Sequence, residues 1–148
     1  MTIAQTATTS FKVELLQAVH NFGPPTPSTF YIALYTAAAN IGPTTTAYTV
    51  TGEVSGAGYT AGGKLLVIST SPTSGNNFSS VPTAFTSFAP ISWPAATFTA
   101  RGALIYNTTQ GNKSVSVLDF GADKTVNNDT FQIIFPTADA TSAIVRIS

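Results

Sequence analysis

TFTARGALIYN, residues 97–107, alternates Phe98, Ala100, Gly102, Leu104 and Tyr106 with Thr97, Thr99, Arg101, Ala103 and Ile105. Successive side chains of an extended chain point to opposite faces, so a period of two over this length predicts a long β-strand, with Leu104 and Tyr106 turned inward. Gly102 in its middle predicts a bulge or the close approach of another backbone. Gln110-Gly111-Asn112-Lys113 then turns the chain into a second strand, Val115 to Phe120, which makes a hairpin.

The same pattern recurs on either side. Phe30, Ile32 and Leu34 alternate with Tyr31, Ala33 and Tyr35, so both faces of that strand are apolar in part and it belongs at the centre of a sheet. Leu65 to Ile68 is a short apolar run bounded by Gly62-Gly63 and Ser71-Pro72; Phe131, Ile133 and Phe135 alternate again; Ile144 to Ile147 makes a last strand. Short strands separated by Gly, Pro, Asn and Thr turns predict a mainly β chain, an antiparallel β-sandwich of jelly-roll type. The stretches Ala37 to Gly63 and Ser69 to Ser92 are long for loops, and Thr44 to Val50 and Phe85 to Ile91 are candidate edge strands within them.

One helix is expected. Phe11, Leu15, Val19 and Phe22 fall on one helical face, Ser10 can cap the start, Glu14 suits the dipole of the first turn, and Gly23-Pro24-Pro25 stops the ladder. The boundaries are therefore an N-terminal arm at 1–10, small and polar, and a single β-sandwich domain at 11–148 that opens with helix 11–22. A chain of 148 residues fits one domain.

Composition narrows the function. Only 8% of the residues are charged, the net charge is zero, histidine occurs once at His20, and there is no cysteine. Disulfides are impossible, so the fold does not need an oxidising compartment, and synthesis in a cytoplasm is expected. No basic run suggests nucleic acid or an anionic membrane, no apolar stretch approaches the roughly 20 residues of a membrane helix, and Met1 to Ser10 lacks the pattern of a secretory signal. Acid/base chemistry wants a tuned His or paired carboxylates and metal sites want clustered ligands, yet Glu14, Glu53, Asp119, Asp123, Asp129 and Asp139 are scattered. The expectation is a binding or structural protein, with no enzymatic activity and no cofactor.

Individual motifs favour plain readings. Glycines at 56, 58, 62 and 63 suggest a phosphate loop, but no P-loop Lys-Ser/Thr pair and no βαβ context accompany them; positions needing positive φ around a packed Tyr59 explain them. His20 fits a helix end better than a ligand set. No Gly-x-Ser-x-Gly elbow supports a hydrolase triad. Asp119, Asp123, Asp129 and Asn127-Asn128 offer oxygens to calcium, with Asp123 to Asp129 read as one turn region, but the spacing matches no EF-hand. Trp93, with Phe85, Phe88 and Phe98 nearby, is a candidate sugar platform but reads better as core.

Tyr31 to Thr36, Thr46-Ala47-Tyr48, the run Glu53 to Gly63, Ala100 to Asn107 and Val117 to Lys124 together resemble small virion proteins of tailed bacteriophages, over about residues 28 to 147. The resemblance implies a virion structural protein, and within that class a capsid decoration (cement) protein. Its partners would be the major capsid protein and further copies of itself, as a dimer or trimer. A tail-associated adhesin recognising host-surface carbohydrate is the alternative, and a soluble lectin-like domain a third. The contact surface is expected around Glu53, Val54, Tyr59 and Thr60, together with the loop after Ile68, and the arm is expected to grip a neighbour.

Overall fold

The computed structural model describes residues 2–148. It is mainly β, with two antiparallel sheets and one short helix near the N-terminus, as the strand pattern predicts. In chain order the elements are β1 (Thr6–Ala7), α1 (Thr9–Leu16), β2 (Phe30–Tyr35), β3 (Lys64–Leu66), β4 (Ile68–Asn76), β5 (Pro82–Phe88), β6 (Ile91–Asn107), β7 (Lys113–Ile133) and β8 (Val145–Ile147). The larger sheet runs β1-β7-β6-β2-β3 and the smaller β4-β5-β8.

β2 and β6 are paired over Phe30–Tyr35 and Gly102–Asn107 and are apolar on both faces. Phe30, Ile32 and Leu34, with Ala103 and Ile105, face a core shared with Phe11, Phe22, Phe88, Phe135 and Val145, so the helix and the smaller sheet cover that side. Ala33, Tyr35, Leu104 and Tyr106 face the other way, where Ile3, Ala39, Ile41 and Tyr48 cover them. Side-chain alternation alone would put Val115 beside Val117. An extra residue in β7, between the pairs Ile105–Ser116 and Tyr106–Ser114, instead turns Val115 into the first core while Val117 stays in the second.

Several expectations need correction. The second long stretch, and with it the supposed loop after Ile68, is the hairpin β4–β5. Ala37 to Gly63 stays irregular and touches the sheet through single bridges, Tyr35–Glu53, Ala47–Lys113 and Ala57–Thr97. Asp123 to Asp129 is no turn: Lys124 to Asp129 pairs with Ala96 to Ala100, and Thr125 and Val126 suit a pleated surface better than the Asn and Asp of this stretch suit a loop. Gly121 and Asn128, both at positive φ, absorb the irregularity inside the strand.

The helix ends sooner than residue 22. Thr8, not Ser10, caps it, its hydroxyl accepting from Phe11 N–H at 3.3 Å. Ala18, not Gly23, takes the left-handed position after Gln17, at φ 57°. That early stop folds the chain back so that His20 reaches Glu14 and Phe22 stacks on Phe30 at 4.4 Å. Glu14 consequently lies beyond the first turn, where its partners are side chains and not the dipole.

The arm is also corrected, for all of it except Met1, which lies outside the described residues. Thr6 and Ala7 pair with Val117 and Ser116, Ala4 N–H donates to the Ile41 carbonyl at 3.0 Å, and Thr8 is wholly buried against Ser114. Backbone pairing supplies what the arm's polar composition lacks, and Ile3 supplies an apolar anchor. Gly102 makes room for that anchor: a Cβ there would stand 2.5 Å from the Leu118 carbonyl and 2.9 Å from Ile3. The expected close approach at Gly102 is thus present, together with a register shift beside it.

Gly63 marks where the irregular crossing re-enters the sheet. It sits at φ +76°, and a Cβ would collide with the Ile32 carbonyl. Gly63→Ala is expected to lower unfolding free energy by about 2–4 kcal/mol, from backbone strain plus displacement of β2. Denaturant titration checks this; a loss below about 0.5 kcal/mol would show that the crossing is not fixed at this point.

Candidate functional site

The polar side chains of this chain converge at two places. Four of the five tyrosines, Tyr31, Tyr35, Tyr48 and Tyr106, lie on the second face of the sheet, and Tyr59 of the crossing packs against the first core with its hydroxyl at Glu53. Glu53, half-buried at the end of that crossing, accepts from the Tyr48 hydroxyl at 2.7 Å, the Tyr59 hydroxyl at 2.6 Å and Gly62 N–H at 2.7 Å. The Tyr59 oxygen accepts in turn from Leu34 N–H at 2.9 Å, in the middle of β2. Tyr106 donates to the Gly62 carbonyl at 2.7 Å, and Tyr35 to that of Thr49 at 2.6 Å. Tyr48 stacks on Tyr106 at 4.8 Å, and Tyr31 lies at 6.1 Å from the same ring.

One carboxylate therefore ties three points of the irregular segment to one another, and the bonds of Tyr59 to Leu34 and of Tyr106 to Gly62 join it to the sheet. Burial pushes the Tyr106 hydroxyl up to about 12, with the Glu53 charge adding to it. Burial first, and then Glu53, hold Tyr48 and Tyr59 higher still; for Tyr35 burial also dominates, against the hydrogen bond to Thr49.

The second place joins the helix to the β6–β7 turn. His20 Nε2 meets Glu14 Oε2 at 2.7 Å, Asn107 Nδ2 meets His20 Nδ1 at 3.0 Å, and Lys113 donates to Glu14 Oε1 at 3.0 Å. Glu14, His20 and Asn107 are all buried. His20 lies between the Glu14 carboxylate and the Asn107 side-chain amide, so each ring nitrogen has a partner. Burial raises the Glu14 pKa, but hydrogen bonds and charge from His20 and Lys113 outweigh it, and the net shift is downward. Sequence reasoning placed His20 at a helix end and missed this cluster, because its members are separated along the chain and no spacing marks them.

Of the four expected contact residues, Val54 is buried in the core and offers no surface, so that expectation is corrected. Glu53 and Tyr59 are half-buried and their polar atoms are engaged within the fold. Thr60 is exposed, as are Ser55 to Gly58. Trp93 is 1% exposed, packed against Phe131 and Tyr59 with the Lys64 ammonium 5.7 Å above its ring, and no sugar can stack on it. Asp119 pairs with Arg101 at 3.1 Å, and among the described residues no group of three or more His, Asp or Glu side chains is placed to hold a metal ion. No helix among them is long and apolar enough to cross a membrane.

Large apolar side chains are among those left outward. Leu16, Phe78 and Ile134 are 92%, 86% and 71% exposed, and a groove of about 480 Å³ lies between Phe120, Phe131, Ile133, Phe135 and Ile144. No protein-family model matches the chain, and no curated protein and no solved structure matches it.

Two pH limits follow. The raised tyrosine values contribute stability that is fully present below about pH 10, the ordinary tyrosine value, and is lost as pH rises toward 12 and beyond. The phenolate absorbance of Tyr35, Tyr48, Tyr59 and Tyr106 should therefore appear together with unfolding, and Glu53→Gln should cost about 2 kcal/mol at neutral pH. Ionisation of these four near pH 10 with the fold intact would refute the arrangement. For Glu14 the sign is opposite: its lowered value contributes stability above the ordinary 4.5 that disappears as pH falls below it. Glu14→Gln should flatten the acid limb of the stability curve, and an unchanged limb would place the acid sensitivity elsewhere.

Proposed function

We propose that the protein is a non-catalytic structural component of a phage particle, which binds the assembled shell as a decoration (cement) protein. The observation that carries this reading is where the resembling segments lie. Tyr31 to Thr36 is β2 with the residue after it, Ala100 to Asn107 is the inner half of β6, Val117 to Lys124 is the middle of β7, and Tyr48 with Glu53 to Gly63 is the tyrosine-bound crossing. Segments separated in sequence are one assembled scaffold in space. That these segments form one framework supports reading them together, as a structural role requires.

The chemistry of the surface supports the same reading. Glu14, Glu53, Arg101, Lys113 and Asp119 are engaged internally. The exposed part of the crossing, Ser55 to Gly58 with Thr60 and Ala61, presents small and hydroxyl side chains that allow close backbone approach. A rigid neutral surface of this kind suits shape-matched contact with many equivalent capsid subunits. Each copy needs roughly 1,000 Å² of total interface for specific attachment. A protein that binds only the assembled shell stabilises it by its binding free energy, summed over copies.

Particles lacking the protein are expected to assemble and then to release their contents at a lower temperature, with stability restored when purified protein is added back. Differential scanning of both particle preparations checks this. Unchanged particle melting combined with lost adsorption to the host would assign the protein to the tail as a carbohydrate-binding adhesin.

A further inference from the structure

β7 is the outermost long strand of the larger sheet, and β1 covers it only at Ser116 and Val117. Beyond Val117 no other strand among the described residues lies along its outer side, and Gly121 to Thr130 are exposed except for half-buried Val126. An edge of this length carries unpaired N–H and C=O groups that template pairing unless something occupies them.

The charges on this edge point to the occupant. Asp123, Lys124 and Asp129 take part in no ion pair among the described residues, although the other four acidic side chains, Glu14, Glu53, Asp119 and Asp139, are engaged by hydrogen bonds or ion pairs. Charges on an edge ordinarily repel a second copy, but that requires like signs to meet. Here the signs are mixed, and the order is self-complementary when the strand is reversed.

We propose that this edge of β7 pairs antiparallel with the same edge of a second copy, about a two-fold axis between Val126 and Asn127. In that register Lys124 of each copy faces Asp129 of the other, Asp123 faces neutral Thr130, and no like charges meet. Gly121, at positive φ, bounds the pairing to residues 122–131, with Asn128 an irregular position inside it, and the two copies present the same patch to each other, as an isologous interface requires. The pairing does not depend on the capsid reading.

Sedimentation equilibrium on the full chain, over a concentration series, tests the register through Lys124→Asp, Asp129→Lys and the double variant. Both positions are exposed, so the variants keep the fold, which melting curves verify. The wild type should dimerise, each single reversal should weaken dimerisation about tenfold by placing like charges opposite each other twice, and the double variant should restore it. Amide exchange at residues 122–131 should slow as the wild-type concentration rises. A dimer insensitive to the single reversals, or one that the double variant fails to rescue, overturns the register. A chain that stays monomeric, with this edge protected only when capsid shells are added, assigns the edge to the shell and overturns self-pairing.

Discussion

A sheet that is apolar on both faces needs two covers, and the rest of this fold answers that requirement. β2 and β6 place Phe30, Ile32 and Leu34 on one side and Ala33, Tyr35, Leu104 and Tyr106 on the other, all at most 4% exposed. The helix and the smaller sheet form the first cover by ordinary apolar packing. The second has no regular secondary structure; it is an irregular crossing with the N-terminal segment beside it. Irregular chain over a core leaves backbone groups without a ladder, so side chains must satisfy them. Glu53 does this for Gly62, and Tyr35, Tyr59 and Tyr106 do it for Thr49, Leu34 and Gly62. Tyrosine suits the task because one side chain brings apolar area to the core and a hydroxyl to its border.

Legibility from sequence followed how local each signal was. The two-faced pattern of Phe30 to Tyr35 and the turn at Gln110 to Lys113 are local, and the structure has both, whereas the alternation in Thr97 to Asn107 is interrupted by the register shift between Ala100 and Gly102, so that Phe98 and Ala100 face the first core and Leu104 and Tyr106 the second. Gly102 was readable as a close approach, but not that Ile3, about a hundred positions away, would be the neighbour. The errors fall where tertiary pairing overrides composition. Asp123 to Asp129 has turn-forming residues yet pairs with β6, because the partner strand is already in place. Residues 2–8 have little apolar content, yet they dock through main-chain bonds, which composition does not register. Helix periodicity to Phe22 was genuine as a pattern of burial, since Phe11 and Phe22 share one core, but the chain reaches the second position by a turn at Ala18.

The candidate contact residues show the same limit from the other side. A run of glycines around a tyrosine signals an unusual backbone; it does not say whether the tyrosine faces a partner or the protein's own sheet. Gly58, Gly62 and Gly63 do take positive φ, and the hydroxyl of Tyr59 lies between Glu53 and Leu34. Such a segment is held from inside, so any contact it makes is through the small residues between its anchors. Val54, the apolar residue that looked most like an interface anchor, is spent on the core.

Scarcity of charge links the interior to the surface. With six acids and six lysines or arginines in 148 residues, engaging Glu14, Glu53 and Asp119 within the fold leaves few charges to keep copies apart. A soluble monomer usually guards long edges and exposed apolar side chains with charge. This chain instead leaves Phe78, Leu16 and Ile134 in solvent and places three of its remaining charges together on the β7 edge. The interior network therefore has a surface consequence: the charges that hold an irregular cover in place are unavailable outside. A fold stabilised in that way is suited to an environment in which neighbouring subunits cover what its own charges do not.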